Sequence, residues 1–149
     1  MLKGIDHRLN ADVLGTLRAM GHGDYQIISD TNFPADTNAQ ATTLGYLLRM
    51  ENLTAAEAIN AVLSVMPLDS FVDDFAGRMR VGDDPSDIPP VQQEVLAEIK
   101  AVGETREVAD IDRFDFYDLA KGAYAVIQTS ERRFYGCFML RKGVIPPEE

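Results

Sequence analysis

Hydrophobic and polar positions change period several times along the chain, and each change predicts an element. From Asn10 to Met20 the apolar residues Val13, Leu14, Leu17 and Met20 share one helical stripe, with Asn10 placed to cap it and Gly21 to end it in a left-handed turn. Tyr25 to Ser29 is short, apolar and β-favouring, which predicts a buried strand with Asp30 at its C-terminal end. Asn32, Pro34, Asp36 and Asn38 give residues 31–40 the chemistry of a loop, and a short strand is expected within Ala41 to Leu48. Thr54-Ala55-Ala56-Glu57 is a capping-box pattern that opens a helix through Ile59, Val62, Leu63 and Met66, closed by Pro67.

Partial alternation from Phe71 to Val81 predicts another strand, and Gly82-Asp83-Asp84-Pro85 with Pro89-Pro90 predicts an exposed connection after it. Val91, Val95, Leu96, Ile99 and Val102 form the next helical stripe. A strand over Glu107 to Ile111, a helix over Phe114 to Gly122 and a strand over Tyr124 to Thr129 come next. The polar turn Ser130-Glu131-Arg132-Arg133 then leads to a last strand, Cys137 to Leu140, expected to lie antiparallel beside its predecessor. This alternation describes an α/β domain with a mixed sheet. At 149 residues, with no repeat and no linker in the middle, residues 1–149 read as a single domain able to bury a core without disulfides or a structural metal.

Charge narrows the list of partners. Acidic residues outnumber basic ones 24 to 14, and the net charge of −10 repels phosphate backbones and anionic headgroups, so neither nucleic acid nor a membrane surface is expected. No apolar run approaches the ~20 residues of a bilayer span, and the N-terminus lacks a signal-peptide pattern. A soluble, cytoplasmic protein is the expectation. The lone Cys137 excludes an internal disulfide and suits a reducing compartment.

Candidate chemistry concentrates in few places. His22, framed by Gly21 and Gly23, can titrate near neutral pH and precedes the first strand, which delivers Asp30 at its other end. Each also has a plainer role: His22 can donate to a nearby carbonyl, and Asp30 can cap its own loop. Asp69 can likewise cap the residues just after it. In Arg113-Phe114-Asp115-Phe116-Tyr117 the phenylalanines suit a core, while Tyr117 needs a hydroxyl partner if buried. Phe134-Tyr135-Gly136-Cys137 reads as a core aromatic before a glycine bulge, and Cys137 as a buried thiol. His22, Asp24, Asp30 and Asp36 lack a metal-ligand spacing, and no phosphate-binding glycine motif occurs, so no metal and no nucleotide cofactor is expected.

Taken together, Met20-Gly21-His22-Gly23-Asp24, Ser29-Asp30 with Phe33-Pro34, Leu68-Asp69-Ser70, Arg113-Phe114-Asp115-Phe116-Tyr117, and Glu131 through Tyr135-Gly136 to Val144 resemble the RbsD/FucU family of sugar mutarotases, in its L-fucose branch. The resemblance implies a three-layer α/β/α fold that assembles into rings, commonly decamers, and a cofactor-free, metal-free enzyme that interconverts sugar anomers. It implies His22 as proton donor, a catalytic role for Tyr117, and sugar binding by Asp30, Asp69 and Arg113 and by the stretch around Tyr135 and Gly136. One position departs from the pattern: the family usually has asparagine where this chain has Cys137. A thiol donates and accepts weakly compared with an amide, which leaves the preferred sugar open.

Mutarotation needs a proton to leave the anomeric hydroxyl while another reaches the ring oxygen. His22 is expected as the acid, with Tyr117 or a carboxylate as the second group and Asp30 and Asp69 as clamps on the sugar. A D-ribose pyranase-like enzyme and a non-catalytic monosaccharide-binding protein are the alternatives.

Overall fold

A computed structural model describes residues 1–148. The elements run α1 (Ala11–Ala19), β1 (Tyr25–Ser29), α2 (Ala35–Gln40), β2 (Leu48–Met50), α3 (Ala55–Leu63), β3 (Ala76–Met79), α4 (Pro90–Ala101), β4 (Ala109–Ile111), α5 (Arg113–Lys121), β5 (Ala125–Thr129) and β6 (Phe138–Arg141). The six strands form one mixed sheet in the order β2-β5-β1-β6-β3-β4.

Alternation along the central strands divides the core into two layers. Ile28, Ile127 and Phe138 are cross-strand neighbours and face α1, α3 and α4, whereas Ile27, Val126 and Met139 occupy the next register position and face α2 and α5. Helices therefore cover both faces, giving the expected three-layer α/β/α arrangement.

The caps form as the sequence suggests. Asn10 accepts from the Val13 amide at 2.9 Å, and Thr54 and Glu57 complete a reciprocal capping box at the start of α3.

Several expectations need correction. Gly21 does not stop α1 in a left-handed turn: Met20 is extended, Gly21 donates to Asp24 Oδ2 at 2.7 Å, and the left-handed residue is Gly23, at φ 87°. Residues 35–40 form the short helix α2, because Asn38 bonds back to the Pro34 carbonyl and Ala35 and Ala39 pack on the core. The strand expected within Ala41 to Leu48 begins only at Leu48, and that of Phe71 to Val81 shrinks to Ala76–Met79. Phe71, 70% exposed, is not in the sheet. Val102 is likewise exposed beyond the end of α4.

The largest difference concerns β6. It does not pair with β5 but inserts between β1 and β3, antiparallel to both. The segment from Ser130 to Cys137 is thus a crossing connection over the end of β1, which brings Gly136 to Asp30.

Candidate active site

Strand β1 has five residues, and at about 3.4 Å per residue it carries the chain about 17 Å from Tyr25, just after the turn that holds His22, to Asp30 at its other end. Within one chain the predicted residues consequently fall into two groups, one at each end of the strand.

At the C-terminal end lies a cavity of about 200 Å³ lined by Asp30, Arg113, Tyr117, Tyr135 and Cys137, together with Asn32, Phe33, Met79 and Phe134. Asp30 is 3% exposed and held by backbone amides: Oδ1 accepts from Asn32 and Phe33, both at 2.9 Å, and Oδ2 from Gly136 at 3.0 Å. The expected loop-capping role is thus filled, and the same carboxylate lines the cavity. A carboxylate offers roughly four acceptor positions, so these three bonds leave Oδ2 room for one further donor.

That Gly136 amide is delivered by a tight turn. Tyr135 adopts φ 62°, a left-handed conformation that non-glycine residues rarely take and that tends to mark functional sites. Gly136 is needed for contact: a Cβ there would stand 2.9 Å from Glu131 Cγ and 3.3 Å from Asp30 Cβ. A turn replaces the expected bulge, and Phe134, expected in the core, is 74% exposed.

Glu131 anchors the same turn. Its buried carboxylate receives the Arg133 amide and guanidinium, and the Ala55 amide at the start of α3. The Arg133 side chain, helped by those amides, outweighs burial and holds Glu131 down to about 2. Arg133 also grips Glu94 on α4 through both terminal nitrogens.

Helix α5 supplies the opposite wall. Asp112 caps it by accepting from the Phe114 amide at 2.9 Å, which starts the helix at Arg113. Phe116 is the core residue of the aromatic cluster, whereas Phe114 is 65% exposed. The Tyr117 ring lies 5.6 Å from Phe33, and its hydroxyl has no hydrogen-bond partner among the described residues. The Arg113 guanidinium lies over the Phe114 and Tyr117 rings, at 4.9 and 5.9 Å, without an ion pair among those residues. Cys137 is 1% exposed, and burial, reinforced by the Asp30 charge, pushes its thiol well up, so it stays protonated at neutral pH.

The other end of β1 carries a histidine–aspartate pair. His22 Nε2 lies 3.1 Å from Oδ1 of Asp69, and the imidazole packs at 5.2 Å against the exposed Phe71 ring. Asp69 is 1% exposed; burial would raise its pKa, but the Phe71 amide at 2.9 Å and His22 together hold it below the usual carboxylate range. Arg106 fixes this loop from below, donating to the Asp69 and Val72 carbonyls at 2.8 and 2.7 Å while Glu104 steadies it and the Phe75 ring lies 4.1 Å beneath.

Met79, Gln92 and Arg106 are marked by no motif in the sequence. Gln92 alone left a signal, since a 3.6-residue period puts it on the buried stripe with Val95 and Ile99. No helix among the described residues is long and apolar enough to cross a membrane.

Known proteins resemble the chain over nearly its whole length. Fucose mutarotase of Homo sapiens is 38% identical, the match covering 97% of this chain and 94% of that protein. The fold superposes on the solved structure of protein Atu2016 with TM-score 0.95 at 56% identity, covering 98% of this chain and 97% of the other. It superposes on fucose mutarotase from Streptococcus pneumoniae in complex with L-fucose with TM-score 0.87 at 34% identity, over 97% and 100% of the two chains. Residues 3–145 match the model of the RbsD / FucU transport protein family, and the chain belongs to that family.

Proposed function

We propose that this protein is a sugar mutarotase that interconverts the α and β anomers of a monosaccharide, with L-fucose as its substrate. The observation that carries the reading is the cavity at Asp30: a carboxylate immobilised by three amides, with acceptor capacity to spare, beside a tyrosine hydroxyl and a guanidinium that are unpartnered among the described residues. Such a set fits a small polyhydroxylated ligand, because buried polar groups that await hydroxyl partners discriminate strongly for them. Fucose is supported by the human relative's name, and its L form by the sugar in the Streptococcus pneumoniae structure.

Ring opening breaks the bond between the anomeric carbon and the ring oxygen. One proton leaves the anomeric hydroxyl, one arrives on the ring oxygen, and the free aldehyde rotates before both transfers reverse. Asp30 holds a sugar hydroxyl by a charge-assisted bond, and Arg113 with the Tyr135–Gly136 backbone orients the ring. Tyr117 and His22 move the protons. Asp69, held ionised, accepts only, so the proton of neutral His22 sits on Nε2 and Nδ1 is the nitrogen free to take and return a proton. The uncatalysed reaction already proceeds in water, and two positioned groups worth ~10²–10⁴-fold each supply what acceleration is needed.

The working unit in this reading is a homo-oligomer, a closed ring in which the His22 edge of one copy meets the Asp30 cavity of the next. Two features support it: β1 keeps the two groups apart within a chain, and the exposed rings of Phe71 beside His22 and of Phe114 and Phe134 beside the cavity are apolar surfaces suited to burial against another copy. Asp69 then reaches the sugar through Oδ2, which has no hydrogen-bond partner among the described residues.

Saturation-transfer NMR between the anomeric protons of L-fucose, with EDTA present, tests the reading. Faster exchange with protein supports it. Absence of exchange with L-fucose, D-ribose and related sugars overturns it, and thermal stabilisation by sugar without exchange identifies a binding protein instead.

A further inference from the structure

Gln92 is completely buried on α4, an amide set among Val91, Val95 and Ile99. An amide so placed is tolerated only when its polar atoms find partners, and these do. Nε2 donates to the Met79 carbonyl at 2.7 Å and to the Tyr135 carbonyl at 3.0 Å, while Oε1 accepts from Arg78 Nη1 at 3.0 Å. Met79 and Tyr135 line the Asp30 cavity from opposite strands of chain, and Gln92 itself does not touch it.

One carbonyl belongs to the turn that matters for the site, and the other to the end of β3, whose Met79 amide donates to the Cys137 carbonyl just beyond that turn at 3.1 Å. Tyr135 is left-handed at φ 62°, a conformation that persists only when its surroundings over-determine it, and the next amide, that of Gly136, completes the cradle of Asp30. Arg78, 4% exposed, forms no ion pair among the described residues; it spends its charge on Gln92 and on the Pro85 carbonyl at 2.6 Å. A cation donating to Oε1 withdraws electron density from the amide and strengthens its N–H groups as donors.

We infer that Gln92, seated by Arg78, is the positioning residue that locks the Tyr135–Gly136 turn in its sugar-binding form. The inference rests on the mutarotase reading for what the turn holds, and on the hydrogen bonds alone for the lock.

Q92E separates the roles. It keeps an oxygen for Arg78 but replaces the donating N–H₂ by an acceptor facing two carbonyls. The folded, assembled variant is expected to show a KM for L-fucose raised about tenfold with kcat within about threefold of wild type. Backbone amides of the 133–138 segment should exchange with D₂O about tenfold faster, read by mass spectrometry. The double variant R78M/Q92M replaces the pair by apolar chains of similar length and should behave alike, which covers failure of Q92E to fold. Wild-type amide protection in a folded variant overturns the inference, and so does an unchanged KM with faster exchange. A wild-type protein without anomer exchange overturns the mutarotase reading instead; L-fucose affinity then replaces KM beside the amide readout.

Discussion

Asp69 accepts from the His22 ring and from the Phe71 amide on the same oxygen, Oδ1. Because the carboxylate is held below its usual range by those two donors against the cost of burial, the pairing persists until the solution is more acidic than pH 3.8, the ordinary aspartate value. ¹⁵N spectra of His22 in mildly alkaline solution should therefore report the Nε2–H tautomer. Asp69→Asn should erase that preference and slow L-fucose exchange by about tenfold or more, within the span of general acid–base contributions. A neutral His22 protonated on Nδ1 in the wild type would refute the assignment.

A site shared between neighbouring copies, as proposed, can be rebuilt from two broken ones. His22→Ala and Tyr117→Phe should each be nearly inactive alone. Co-refolded in equal amounts, they should regain about a quarter of wild-type exchange, since random neighbours in a ring pair an intact His22 edge with an intact cavity about one time in four. No recovery in mixed rings, with mixing verified by mass, would place the site within one copy.

Gly136→Ala should be costly at one place. The added Cβ meets Glu131, Asp30 and the Arg133 carbonyl, the last at 3.4 Å, and crowding of this kind costs about 1–3 kcal/mol. Thermal unfolding should register the loss, and KM should rise because the crowding moves the amide at position 136 away from Asp30 Oδ2. Wild-type stability and KM together would contradict the close approach.

Acid should dismantle the Glu131 anchor in a defined window. Its folded value, about 2, lies below the ordinary 4.5, so its stabilising contribution is complete above pH 4.5 and drains away as the pH falls toward 2. Glu131→Gln should lower the melting temperature at neutral pH, on the order of 5 °C, and the gap from wild type should close across that window. A gap that widens on acidification would reverse the sign of the argument.

Cys137→Asn replaces a protonated, buried thiol beside Asp30 with an amide. An amide gives a sugar hydroxyl both a donor and an acceptor, so the preference for L-fucose over D-ribose, as a ratio of kcat/KM, should shift by about tenfold. An unchanged ratio would remove Cys137 from the choice of sugar.

Local chemistry was readable in the sequence where it is self-contained. The Thr54–Glu57 box, the Asn10 cap and the extent of β1 depend on neighbours within a few residues, and all appear as expected. Asp30 and Asp69 also show their capping contacts with residues two or three ahead. The illegible features depend on distant partners. Nothing local says that β6 bypasses β5, because its continuous apolar run suits either neighbour. The helix α2 hides behind Asn32, Pro34 and Asn38, whose turn propensities are overridden when Ala35 and Ala39 bury against the sheet. That His22 and Asp30 part company was implicit in β1 itself, since a strand between two residues keeps them a strand apart.

The placement of β6 bears on how the chain acquires its structure. Without it the sheet is two fragments, β2-β5-β1 and β3-β4, with no hydrogen bond between them. β6 is the last strand in chain order and the one that zips both fragments, pairing with residues more than a hundred positions earlier on β1. Such pairing is slow, because a long loop must close before any bond rewards it. The two unzipped edges are then the species at risk of joining strands from other molecules, and damage to β6 should show first as lost yield of folded protein rather than as altered catalysis.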